Sequence, residues 1–131
     1  MNYQRLKKVA LLSPLAILSG CAAIQLQSGA TKVLVSTNPP NDTCQYIGSA
    51  TGSQGNFFTG FWTPNKNLET GAMNDLKNKA AAMGANYVQL VTNRASSTSS
   101  GSGTNGNYSS STQQTGVTQV GNAYYCKKLP I

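Results

Sequence analysis

Asn67-Leu68-Glu69-Thr70-Gly71-Ala72-Met73-Asn74-Asp75-Leu76-Lys77-Asn78-Lys79-Ala80-Ala81-Ala82-Met83-Gly84-Ala85-Asn86-Tyr87-Val88-Gln89-Leu90-Val91-Thr92 changes its period midway. Up to Met83 the apolar positions Leu68, Ala72, Leu76, Ala80 and Met83 recur every three or four residues, which puts them on one helical stripe. Asn67 is placed to cap the start, with Glu69 in the first turn where the helix dipole favours an acid. Gly84 suits the left-handed position that closes a helix. Lys77 and Lys79 suit its negative end. From Ala85 to Thr92 the residues, apart from Asn86 and Gln89, are β-branched, aromatic or aliphatic, and read as a strand. A helix of about 16 residues, Leu68 to Met83, thus runs straight into a strand. The narrow alanines let that helix lie close to a sheet.

Three more strands follow outward from this unit. Thr31–Thr37 is rich in β-branched residues, and Asn38-Pro39-Pro40-Asn41-Asp42 breaks it, since neither proline can donate to a ladder. Thr43–Gly48 reads as the second strand, with Cys44 and Tyr46 on one face and Ile47 on the other. Val117–Cys126 is the last, and Lys127–Ile131 a tail. The expected fold is α+β: a small, mostly antiparallel sheet of about four strands with one packed helix. Between the last two strands, residues 95–116 are all Ser, Thr, Gly, Asn or Gln except Ala95 and Tyr108, and none is charged. Such a segment buries too little apolar area to offset its ordering entropy. It is expected to be a disordered loop with a reach of about 25 Å.

The start of the chain decides its location. Arg5, Lys7 and Lys8 precede an apolar run, Val9 to Leu18, of about ten residues, too short to span a bilayer, which needs about 20. Leu18-Ser19-Gly20-Cys21 then resembles the lipobox of bacterial lipoproteins. The resemblance implies a signal peptide over 1–20, cleavage before Cys21, and a diacylglycerol thioether on its sulfur. Several acyl chains hold a soluble domain to a membrane where one would not. Ala22, in place of the Asp that retains such proteins at the inner membrane, implies the outer membrane. Residues 21–30 then form a lipidated tether, and 31–131 a single domain facing the periplasm.

Charge and cysteine content follow from that division. Three of the ten basic residues fall in 1–20, leaving seven against three acids, Asp42, Glu69 and Asp75. The remaining cations are scattered and form no stripe interleaved with aromatics, so nucleic acid is not an expected partner. With Cys21 acylated, Cys44 and Cys126 remain as an even pair in an oxidising compartment, where a disulfide is the default. Two buried free thiols are the alternative. A redox switch is a third reading, because Lys127 and Lys128 adjoin Cys126 and a nearby cation lowers a thiol pKa.

Chemistry is sparse. The chain has no histidine, so the usual general base, zinc ligand and catalytic triads are excluded. Glu69 and Asp75 are six apart on different helix faces, and no acid pair or calcium cage emerges. No cofactor or metal is expected, and the protein is read as a non-enzyme. Gly101-Ser102-Gly103-Thr104-Asn105-Gly106 matches GxGxxG by letter but lacks the helix that should follow. Gly55–Gly60 has P-loop spacing with Phe61 and Trp62 in place of Lys and Ser/Thr. Asn41-Asp42-Thr43 is a glycosylation sequon by chance. The aromatic burst Phe57, Phe58, Phe61 and Trp62, in a glycine-rich loop over Ser49–Asn65, either covers one side of the core or forms an exposed contact patch for membrane, glycan or protein.

Cys44-Gln45-Tyr46-Ile47-Gly48, Asn74–Ala80, Gly84-Ala85-Asn86-Tyr87-Val88 and Gly121-Asn122-Ala123-Tyr124-Tyr125-Cys126 together resemble the YjeI-like small bacterial lipoproteins, a family of unknown function. The resemblance covers most of residues 31–127. The helix followed by Gly-Ala-Asn and a strand is also similar to the RcsF-like envelope-stress sensor lipoproteins, which pack a helix on a small sheet. Those proteins carry four domain cysteines and a long proline-rich linker; this chain has two and a tether of about nine residues. The expected function is a non-enzymatic structural or interaction module of the bacterial envelope. The alternative implied by the second resemblance is a stress-signalling component.

Overall fold

The computed structural model describes residues 22–56 and 59–131. The signal peptide expected over 1–20, Cys21, Phe57 and Phe58 lie outside the described residues. Four strands form one sheet: β1 (Leu34–Ser36), β2 (Cys44–Gln54), β3 (Tyr87–Thr104) and β4 (Asn107–Cys126), in the order β1-β3-β4-β2. One helix, α1 (Asn65–Ala82), and two 3-10 turns, Ser28–Ala30 and Gly60–Trp62, complete the fold, which is α+β.

The sheet is mixed. β1 pairs with β3 in parallel, through Leu34–Tyr87 to Ser36–Gln89, while β3–β4 and β2–β4 are antiparallel. β2 and β3 therefore run the same way with β4 between them, and α1 is the crossover of a βαβ unit that β4 splits. β1 is only three residues long because Pro39 and Pro40 end its ladder. A register shift between Tyr46 and Gly48 places Ile47 at a bulge, so the simple face alternation expected there is broken.

α1 starts earlier than its stripe suggests. Pro64 occupies the N-cap, Asn67 lies inside the helix rather than capping it, and no acid stands in the first turn. Proline's fixed φ and missing N–H are tolerated at a helix start, so Pro64 sets the boundary. At the other end Gly84 has φ +87°, the left-handed closure expected of it. Leu68, Ala72, Leu76 and Ala80 are fully buried, but Met83, on the last turn, is half-exposed and outside the core. Leu76 and Ala80 pack with Ala50, Val88, Ala123, Val33 and Ala85, while Leu68 and Ala72 form a second cluster with Val117.

The largest departure from expectation is at residues 95–116. They are not a disordered loop but a two-stranded arm that carries β3 and β4 past the end of β2, paired from Ser96–Gly116 to Thr104–Asn107. Asn105 (φ 53°) and Gly106 (φ 80°) close it, both in the positive-φ conformation of a type I′ hairpin turn. Cross-strand hydroxyl pairs line it: Thr98–Thr115 at 2.9 Å, Ser99–Thr112 at 3.0 Å and Ser100–Ser111 at 3.1 Å. The Tyr108 ring lies over Gly101, where an added Cβ would strike it. The composition argument failed because the ladder does not need to nucleate alone. It continues strands already fixed by the core and is closed by a favourable turn.

Close approach of helix and sheet depends on Gly52. A Cβ there would overlap the Ala72 carbonyl and the Leu76 backbone and side chain. Gly52→Ala is expected to cost about 2–3 kcal/mol through overpacking against backbone, lowering the melting midpoint by roughly 10 °C or more. Gly29→Ala, where nothing lies within 4 Å of the added Cβ, is the matched control and should melt within a degree or two of the parent. Thermal denaturation followed by circular dichroism measures both.

Candidate functional site

Two ends of the molecule gather the residues singled out above. At one, Cys44 and Cys126 face each other across β2 and β4 and form a disulfide with an S–S distance of 2.06 Å. Cys126 is 2 % exposed. Next to it Asn86 acts as a piece of strand: its Nδ2 donates to Cys126 O (2.8 Å) and its Oδ1 accepts from Cys126 N (2.7 Å). Its backbone N–H donates to Tyr124 O, and its carbonyl accepts from Leu34 N. Tyr46 and Tyr124 meet edge-to-face at 5.6 Å between ring centres, and Tyr87 stands 6.3 Å from Tyr124. The buried Tyr87 donates its hydroxyl to Asn38 O (2.7 Å), tying down the loop after β1. The chance sequon has a structural use: Asn41 Oδ1 accepts from Thr43 N, and Asn41 Nδ2 donates to Lys128 O. That is an Asx turn which also holds the C-terminal tail.

At the other end the expected free tether is docked. Gln54 Oε1 accepts from Ile24 N (2.7 Å) and its Nε2 donates to Ala22 O (2.9 Å). Asn74 Nδ2 donates to Ile24 O (2.8 Å). Asn78 accepts from Gln27 N (2.8 Å) and donates to Gln25 O (2.9 Å). Three carboxamides thus satisfy the backbone of an extended segment laid along α1. Gly71 makes room for the first of them, since a Cβ there would overlap the Gln54 amide. The fold also begins before residue 31: Ala30 is fully buried. Only this register of Gln54, Asn74 and Asn78 signals the docking, and no spacing rule for one helix would reveal it because Gln54 comes from β2.

Of the aromatic burst, Trp62 is 81 % exposed at the end of its 3-10 turn. Phe61 belongs to the same turn. Ser49–Gln54, expected within the loop, is instead the end of β2. Asp75 accepts from Ser53 N (2.9 Å) and from Lys79 Nζ (2.7 Å), and Lys79 also donates to Thr51 O. Lys79 therefore ties α1 to β2 rather than capping the helix. Among the described residues no group of three His, Cys, Asp or Glu could hold a metal ion, and no helix is long and apolar enough to cross a membrane.

The disulfide end yields two stability tests. Asn86→Ala leaves both Cys126 backbone groups without their partners and is expected to cost about 2–3 kcal/mol. The Cys44→Ala/Cys126→Ala variant releases a cross-link spanning 82 positions, worth about 4 kcal/mol in the chain-entropy model. Melts with and without reductant should show the parent falling to the midpoint of the double variant. A midpoint that stays put while reduction changes partner binding would mean that the bond is a switch and not a staple.

Residues 24–126 match the model of a domain of unknown function, DUF4156. The uncharacterized protein YjeI of Escherichia coli strain K12 is 37 % identical over 73 residues, which cover 55 % of this chain and 62 % of that protein. YjeI of Escherichia coli O6:H1 strain CFT073 and of Shigella flexneri give the same values. The match therefore spans about three-fifths of the curated relatives' length. The family model runs from the docked segment to the second cysteine of the disulfide, and this chain belongs to the DUF4156 family of domains of unknown function.

Proposed function

We propose that the protein is an outer-membrane-anchored periplasmic lipoprotein, serving as a non-enzymatic structural or interaction module of the bacterial envelope. The observation that carries this is Leu18-Ser19-Gly20-Cys21, one residue ahead of an Ala22 whose carbonyl is bonded to Gln54. A lipid on Cys21 would then hold the domain at short range and in a set orientation, not on a free leash. The absence of histidine from the sequence and the engagement of Asp75 in fold contacts support a non-catalytic role.

The alternative, stress signalling of the RcsF-like kind, rests on Gly84-Ala85-Asn86. Gly84 closes α1, Ala85 fills the core and Asn86 locks three strands. Those residues are accounted for by packing, which supports the structural reading over the signalling one. Crosslinking in cells separates the two: a phosphorelay or channel protein among the partners favours signalling, and peptidoglycan or abundant porins favour structure.

Mass spectrometry of the mature N-terminus should show an acylated Cys21 and no residue before it. Cys21→Ala should remain unprocessed and leave the outer-membrane fraction. Normal cleavage and fractionation of that variant would refute the anchor.

A further inference from the structure

The docked segment has a direction. Ala22 is held by Gln54 beside Gly71, Ile24 by Asn74, and Gln25 and Gln27 by Asn78. The chain therefore joins the domain near the N-terminal half of α1 and runs toward its C-terminal end. From Asn65 to Gly71 the helix rises only about 9 Å, at 1.5 Å per residue. Trp62 stands two residues before the Pro64 N-cap, so it belongs to the end of the molecule where the preceding chain arrives.

Trp62 has an unusual setting. It is 81 % exposed, although tryptophan is a residue that normally buries most of its surface. Its indole has an apolar body and one N–H, the combination favoured where a membrane meets water. Lys66 is exposed in the first turn of α1, where the dipole disfavours a cation, and Glu69 follows it at i+3. The β3–β4 arm leaves from this end too, since Val117 pairs with Gln54 at the limit of β2. From Ala95 to Gly116 the arm has no charge, and its hydroxyls and amides suit a headgroup layer rather than hydrocarbon.

We infer that the Trp62 end is a membrane-seating surface. It rests on the phospholipid headgroups of the leaflet that holds the acyl chains of Cys21, with the Trp62 indole at the interface and Lys66 facing anionic headgroups. The inference deepens the anchor reading above and rests on it. The covalent lipid supplies attachment, and the seat supplies orientation: α1 stands with its N-terminal end toward the membrane and the disulfide end away from it.

The chain has a single tryptophan, so its tryptophan emission, excited selectively over tyrosine, reports this surface alone. With Cys44 and Cys126 joined, residues 21–131 have one free thiol. It can be coupled to a maleimide phospholipid in vesicles of phosphatidylethanolamine and phosphatidylglycerol. On coupling, the emission should shift to the blue and lose most of its intensity when the phospholipids are brominated near the headgroup end of their chains. Bromines near the terminal methyl should quench less. An emission maximum that stays that of indole in water, with no bromolipid quenching, would overturn the seat. Equal quenching in neutral phosphatidylcholine vesicles would overturn the role of Lys66. Because the coupling is chemical, the result does not depend on whether cells acylate Cys21. An unacylated Cys21 by mass spectrometry refutes the anchor, and an unquenched Trp62 on vesicles refutes the seat.

Discussion

Asn86, at the head of β3, ties β1 and β4 together through its backbone and its carboxamide. Its side chain takes both backbone groups of Cys126 at the end of β4, and its own backbone takes Tyr124 of β4 and Leu34 of β1. Cys126 is bonded in turn to Cys44 at the start of β2. One residue, placed between the closing glycine of α1 and the first residue of β3, therefore holds the parallel edge strand and the end of β4 that carries the covalent link. Because the site is part-buried, each of those groups would cost more unpaired than a surface group would. The three tyrosines beside it complete a rigid end with little freedom to rearrange.

The opposite end is assembled from different chemistry. There the contacts are amide to backbone and largely exposed, and the apolar contribution comes from Leu68, Ala72 and Val117. Exposed hydrogen bonds exchange readily with water, so the docked segment is held by number and by mutual geometry and not by burial. Gly52 and Gly71 are what allow this: one brings α1 against the sheet, and the other lets Gln54 reach past the helix to the N-terminal segment. A domain stapled at one end and clasped at the other has its single tryptophan and its uncharged arm on the clasped side.

Much of this was legible in advance. The stripe Leu68, Ala72, Leu76, Ala80 and the glycine after it were enough for the helix, because a 3.6-residue period and a left-handed stop are local properties. The pairing of Cys44 with Cys126 came from counting cysteines against compartment. The arm is also legible: Asn105-Gly106 is a strong hairpin signal, although the polar composition of the residues around it points to disorder. Asn67 looked like a cap because Asn often is one, yet Pro64 three residues earlier had the stronger claim, through its fixed φ.

The sequence by itself determined the helix, its stop, the strand that follows and the cysteine pair, since each depends on neighbours in the chain or on simple counting. Only the tertiary structure decided that β1 pairs in parallel at one edge, that β4 enters between β2 and β3, and that the presumed tether is held by Gln54, Asn74 and Asn78. The reason is physical. A strand's partner and a carboxamide's acceptor lie tens of residues away, 30 for Ile24 and Gln54 and 40 for Asn86 and Cys126. Their meeting depends on the whole path of the chain, which no local period records.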